Sequence, residues 1–347
     1  MNPKIFAAVI IVAVVLVPSY SIRGEISHSN IDMNAGGGGG GTLIRIALYD
    51  SISPSVNQME KALNYEWNHG NYSMSVERID GNNILAGELN RDNYDVLVIG
   101  ASGRQYFQGV TEKWKSEVKD FIYGGGGYVG ICGGANIVSR GIEHPRYFLD
   151  GVINRASLGI VDVYINDEQN EEWQYLWKDT GQDHIPVEVG IDRDSEIFSD
   201  YGRQRMYIVY GGGAGMYPAA DGGTDDMKPI AFFIEEPMEV APLHYWRWNG
   251  GWEIASNVTT DIKGQWAGID TTYGEGRIII FSPHPEIPPM MNGSISEFFG
   301  LSIYGIPRYV YSWGGGEQTN EDYNWWILRR SAALAAGVAE EDLPPSG

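Results

Sequence analysis

The sequence predicts an α/β fold: a doubly wound, mainly parallel sheet with helices on both faces. Three observations predict it. TLIRIALYD (42–50) and DVLVIG (95–100) are strand-length apolar runs of the kind a buried strand shows. Segments with helical spacing of apolar residues alternate with such runs. Glycine clusters stand where a strand gives way to a helix, above all in GGGGYVGICGGAN from Gly124 to Asn136.

Each element follows in order. TLIRIALYD is the first buried strand. Val56, Met59 and Leu63 mark one helix face. In YSMSVERI, Tyr72, Met74 and Val76 alternate with Ser73, Ser75 and Glu77, the period of a strand. Ile84, Leu85 and Leu89 mark a short helix, and DVLVIG is the second buried strand. Val110, Trp114, Val118 and Phe121 are spaced as a helix face, with Gly124 at the C-cap. YVGI is a further strand, and GGANIVSR opens a helix. The second half is richer in strands: SLGIVDVYI, MYIVY, PIAFFI, APLHYWRW and GRIIIF. QWAGIDTTYGEGRIIIF predicts a hairpin turning at Gly274-Glu275-Gly276. EDYNWWILRRSAALAAG (321–337) is a closing amphipathic helix. There is no internal repeat and no linker-like break after residue 42. The expectation is one α/β domain with a strand-rich insertion over 42–337, then a tail at 338–347.

The N-terminus differs. Lys4 precedes an unbroken apolar run from Ile5 to Val17, shorter than the roughly 20 residues of a full span. Such a run fits a secretory signal, with small residues near Ser19 and Ser21 as a cleavage zone. An uncleaved anchor at 1–22 is the alternative. Either way the chain is expected to be exported, as a secreted or membrane-tethered protein. Residues 23–41 end in AGGGGGG and read as a flexible tether. Lys plus Arg number 24 against 45 Asp plus Glu, a formal net charge of −21. That surface repels phosphate backbones, so nucleic acid is excluded as an expected partner.

Cys132 is the only cysteine of the 347 residues, so no intrachain disulfide exists. Gly130-Ile131-Cys132-Gly133-Gly134 has the form G-x-C-x-G between a predicted strand and a predicted helix. This is the context of a nucleophile elbow. Glycines at −2 and +2 remove Cβ atoms where chains must approach closely. The thiol then sits at a helix N-terminus, where amide N–H groups face developing negative charge. The alternative is a structural cysteine beside a glycine-rich turn.

An elbow cysteine needs a base, and the chain has six histidines. His28 lies in the tether, His69 in a turn, His144 before Pro145 and His184 in a polar loop. His244, in HYWRW, reads as packing. His284 stands in FSPHPEIPP, directly after the strand RIIIF, where the ends of sheet strands build sites. Glu286, two residues on, is placed to bond the far ring nitrogen and fix the tautomer. The alternative is a proline-rich surface turn. For an oxyanion, Gly133 supplies one amide, and the loop Gly100-Ala101-Ser102-Gly103 supplies another, with Gly100, Ser102 and Gly103 as candidates.

These residues resemble a known group. Cys132 followed by His284-Pro285-Glu286 resembles the Cys-His-Glu triad of class I glutamine amidotransferase-like domains. GGYVGICGGAN, FSPHPE and VYGGGAGMY (209–217) are more similar still to the N-terminal domain of biotin-protein ligases and its stand-alone prokaryotic relatives. In that group an alanine often follows the cysteine, where this chain has Gly133. The resemblance implies a flavodoxin-like sheet and carries over Cys132, His284 and Glu286 as the triad. No ligase half follows, so biotin ligation is not expected.

Two readings follow. One is a cysteine-dependent hydrolase or amidase, acting on a small-molecule or peptide amide with no cofactor. The other is a binding or structural module on the same fold, with Trp246, Trp248 and Trp252 as a sugar or peptide platform. A packed strand-turn core is the expectation for that cluster, since aromatics dominate cores. No cluster has metal-ligand spacing, so no metal is expected. Asn71, Asn257 and Asn292 begin glycosylation sequons.

Overall fold

The computed structural model describes residues 41–347 other than 51–52, 102–103, 147, 167–184, 221–225, 258 and 302–306. The predicted export segment and nearly all of the tether lie outside the described residues, as do Ser102, Gly103 and His184.

Strand β1 (Thr42–Tyr49) leads to helix α1 (Pro54–Leu63), which starts at the Ser53 cap with Pro54 in its first turn. β2 (Tyr72–Ile79) is followed by the short α2 (Gly81–Leu85), closed by a reciprocal Asp80–Asn83 capping box. β3 (Val96–Ile99) precedes α3 (Arg104–Gly109) and α4 (Glu112–Tyr123). Val110 therefore lies just outside the helix whose face it was expected to share. Gly124 is the C-cap of α4, and Gly125 takes the left-handed turn at φ 93°. β4 (Gly127–Ile131) runs into α5 (Gly133–Val138), and α6 (Phe148–Ala156) follows.

The other strands along the main path of the sheet are β5 (Pro186–Ile191), β6 (Arg205–Val209), β7 (Lys228–Phe233), β8 (Trp266–Tyr273) and β9 (Gly276–Phe281); two short strands, Val163–Ile165 and Met216–Pro218, pair with each other and join it at β8. Helix α7 (Trp325–Ala335) closes the fold.

The order across the sheet is Glu66–Trp67, β2, β1, β3, β4, β9, β8, β7, β5, β6. From β2 to β9 every neighbouring pair is parallel. Beyond β9 the pairs are antiparallel. The strand-rich part of the sequence thus continues the same sheet edge. β8 and β9 form the predicted hairpin with Tyr273 opposite Gly276, so Gly274 and Glu275 make the turn.

The central parallel strands are largely apolar on both faces because both are covered, whereas β2 leaves Ser75, Glu77 and Arg78 exposed. Ile44, Ile46, Leu48, Val98, Val129 and Ile279 pack with α1 and α7. Ala47, Tyr49, Leu97, Ile99, Tyr128 and Ile280 pack with α2, α4 and α5. Each fully buried Ile, Leu or Val contributes roughly 1.5–3 kcal/mol. The result is a mixed α/β fold with helices on both faces of a sheet whose centre is parallel.

Residues Gly41–Gly347 form one compact unit. The last residues dock on it: the Asp342 carbonyl accepts from Trp67 Nε1 at 2.8 Å, and that of Pro344 from Arg330 Nη1 at 2.8 Å. Among the described residues no helix is long and apolar enough to cross a membrane.

Candidate active site

Cys132 stands between β4 and α5 with φ 53° and ψ −108°. A left-handed φ is costly for a side chain with a Cβ, and persists only where the surroundings enforce it. Here they do. Cys132 N–H donates to the Phe281 carbonyl at 2.8 Å, tying the turn to the end of β9. Its carbonyl accepts Asn136 N–H at 3.0 Å and starts α5. The flanking glycines are required by contact. A Cβ on Gly130 would lie 2.6 Å from the Gly134 carbonyl oxygen, and one on Gly134 would lie 1.9 Å from that of Ile99. The cysteine is half-buried, and Gly133 takes the first helical position.

β9 is the parallel neighbour of β4, with Phe281 opposite Ile131. The chain leaving β9 therefore passes beside the elbow, and His284 is its third residue. His284 N–H donates to the Val209 carbonyl at 2.8 Å. Its Nδ1 lies 2.8 Å from Glu286 Oε1, and Glu286 is fully buried while His284 is 4% exposed. Nε2 makes no hydrogen bond of ordinary length among the described residues. The Cys132 thiol acts on the ring through its charge. Burial alone would lower the His284 pKa. Glu286 on one side and Cys132 on the other outweigh burial, and the pKa is pushed up to about 10. The ring is thus a proton holder between a carboxylate and a sulfur.

Gly100 ends β3, one strand over from the elbow, and is buried. A Cβ there would meet Met59 Sδ at 2.8 Å. Ser102 and Gly103 lie outside the described residues, so Gly100 and Gly133 are the described members of the expected oxyanion set.

The sequence reading missed two residues of the site, and it quoted the 209–217 segment without a physical reason for its glycines. Ser55, in the first turn of α1, donates to Glu286 Oε1 at 2.6 Å. Tyr106 reaches the elbow from α3, its hydroxyl 3.4 Å from the Gly133 carbonyl. Burial and the Cys132 charge hold its pKa above the ordinary tyrosine range. The segment 209–215 lines the histidine loop. A Cβ on Gly211 would lie 2.6 Å from His284 Nε2, and one on Gly213 would lie 1.9 Å from the Ser282 carbonyl oxygen. The glycines of VYGGGAGMY let that backbone approach the histidine, a reason the residue pattern alone does not carry.

The tryptophan cluster is a correction. His244–Trp248 and Trp252–Asn257 form a separate two-stranded hairpin. Trp248 is 66% and Trp252 40% exposed, their rings edge to face at 5.5 Å. The pairing turns them to solvent, so they are not the packed core that their aromatic content suggested. Among the described residues no three His, Cys, Asp or Glu side chains gather to hold a metal.

Residues 46–298 match the family model described as biotin-protein ligase, N terminal. No curated protein matches the chain. Among solved structures, it is similar to a putative ThuA-like protein from Parabacteroides merdae. The identity is 12% and the TM-score 0.42, over 88% of this chain and 93% of that one. It is similar to a cytoplasmic protein from Salmonella typhimurium LT2 at 13% identity and TM-score 0.35, over 70% and 87% of the two chains. It is also similar to a β-galactosidase from Bacillus circulans at 10% identity and TM-score 0.35, over 70% of this chain. The match spans 28% of that enzyme's length.

Proposed function

The chain belongs to the biotin-protein ligase N-terminal family, and on that premise we propose that it is an exported cysteine-dependent amidase or hydrolase. Its class is glutamine amidotransferase-like, its sheet the flavodoxin-like doubly wound type. Cys132, His284 and Glu286 act as nucleophile, proton shuttle and orienting carboxylate. One observation carries the reading: a strained cysteine at a strand-to-helix turn, with a buried histidine–carboxylate pair on the chain leaving the neighbouring strand.

The chemistry is acyl transfer. Cys132 sulfur attacks the amide carbonyl carbon, and His284 Nε2 takes the thiol proton. The C–N bond breaks as His284 gives that proton to the leaving amine. A thioester remains on Cys132. Water then adds to it, losing a proton to His284, and the acid departs as sulfur is reprotonated. Gly133 and Gly100 amides stabilise the oxyanion, and Ser102 and Gly103 stay candidates from the sequence alone. The substrate is a small-molecule or peptide amide. No cofactor enters these steps, and biotin ligation is not expected.

Incubating the full-length chain with a panel of primary and peptide amides tests this by intact mass. The expected result is an acyl adduct that Cys132→Ser cannot form as a thioester, with ammonia or amine released. Turnover unchanged by Cys132→Ser would overturn the reading. A second reading, a binding module, is favoured by the exposed Trp248–Trp252 pair. A chain that forms no adduct, yet binds a saccharide or peptide through those rings, would belong to it.

Export rests on Lys4 and the run Ile5–Val17, with the glycine tether separating that segment from the body. Fractionation of cells producing a C-terminally tagged chain should place it outside the cytoplasm or on the membrane. Recovery in the cytosol with an intact N-terminus would overturn export.

A further inference from the structure

We propose that Ser55 is a positioning residue of this site, its hydroxyl holding the buried Glu286 carboxylate in register with His284. The inference rests on the proposed roles of Cys132, His284 and Glu286.

Glu286 is fully buried, and its Oε2 has no hydrogen-bond partner among the described residues. All side-chain hydrogen bonding therefore falls on Oε1, which meets His284 Nδ1 at 2.8 Å and Ser55 Oγ at 2.6 Å. A buried carboxylate stays ionised only if donors compensate its lost water. One of the two donors is the histidine, whose proton must remain on Nδ1 for Nε2 to act as base. The other must be a group that does not titrate, and a serine hydroxyl meets that need.

The serine's placement is not that of a helix cap. A serine near a helix start usually bonds backbone of its own turn. Ser55 instead reaches a side chain 231 residues away in sequence, and Ser53 provides the cap. Ser55 is 4% exposed and sits in the first turn of α1, whose positive end favours a nearby carboxylate. The frame around the bond is fixed. α7 holds α1 through Arg329 Nε to the Ala62 carbonyl at 2.8 Å. It holds the glutamate through Trp325 Nε1 to the Glu286 carbonyl at 3.0 Å. On its other side, Ser55 Oγ lies 3.5 Å from where a Cβ on Gly100 would stand. One hydroxyl thus bonds the carboxylate end of the relay and borders the space beside Gly100.

Iodoacetamide alkylation of Cys132 in the full-length chain, followed across pH, tests this. Ser55→Ala is expected to slow labelling near neutral pH by about tenfold, since a hydrogen bond to a charged group is lost. The pH dependence of the rate should change with it. Ser55→Thr, which keeps the hydroxyl, should keep the wild-type profile. In a His284→Ala background, Ser55→Ala should cause no further slowing. Ser55→Gly carries the same comparison if Ser55→Ala does not fold. A wild-type profile in Ser55→Ala, with His284→Ala slow, would overturn this inference and leave the proposed triad standing. Equal slowing by Ser55→Ala with or without His284 would reveal a packing role and also overturn it. If His284→Ala itself labels at the wild-type rate, the triad reading fails first.

Discussion

Gly134→Ala is expected to destabilise the protein by about 3 kcal/mol, at the upper end of the cost of overpacking. The new methyl would stand 1.9 Å from the Ile99 carbonyl oxygen and 2.7 Å from its carbonyl carbon. Both are backbone atoms, and no rotamer change removes the clash. Strand β3 cannot retreat, because β1 and β4 pair with it on either side. Helix α5 cannot retreat freely either, since the Gly134 carbonyl accepts Tyr128 O–H at 2.6 Å. The strain must go into the turn at Cys132, already at a left-handed φ. Gly151→Ala makes the same chemical change with the opposite sign. Gly151 is exposed within α6, with nothing within 4 Å of the added methyl. It should stabilise by about 0.5–1 kcal/mol through helix propensity. Urea midpoints at unchanged slope measure both. A Gly134→Ala midpoint equal to that of the wild type would show that the elbow is not packed as described.

The parallel centre of the sheet was legible because its signals are local. After Asp95, DVLVIG is apolar throughout, as is YVGI, and a strand covered on both faces must be. The elbow was legible for the same reason: G-x-C-x-G between a strand and a helix is a local steric demand, and the clashes at Gly130 and Gly134 are that demand in ångströms. What failed was non-local. HYWRWNGGWEIASN announces a hairpin, but nothing within it says what the hairpin packs against. Its aromatic content pointed to a core, while the structure leaves Trp248 and Trp252 exposed. Nor does a run such as PIAFFI state its partners, so the antiparallel strands read as an insertion although they extend the sheet. Ser55 was out of reach because its partner is 231 residues away. One signal existed: it follows the C-terminal end of β1, and such ends are where sites in these sheets assemble.

His284→Ala is expected to slow alkylation of Cys132 by about a hundredfold near neutral pH, the lower range of what a positioned base supplies. Cys132 is half-buried at a helix N-terminus, so a small reagent reaches it without unfolding. His284 is buried, with Nδ1 committed to Glu286, and the charge of Cys132 acts on its ring. An imidazole in that place takes the thiol proton and stays as imidazolium, because its pKa is pushed up to about 10. Alanine removes that acceptor. Glu286→Gln keeps the shape and the hydrogen bond to the ring but deletes the charge that favours imidazolium. It should slow labelling by about tenfold, less than the loss of the ring. The two changes should not add, since the carboxylate acts only through the histidine, and the double variant should label as His284→Ala does. Cys132 is the only thiol, so labelling is read from intact mass without mapping. A structural cysteine predicts the reverse: no labelling until the chain unfolds, and no response to either substitution. Slow labelling indifferent to His284 would sink the proposed hydrolase and move the function to the exposed tryptophan hairpin.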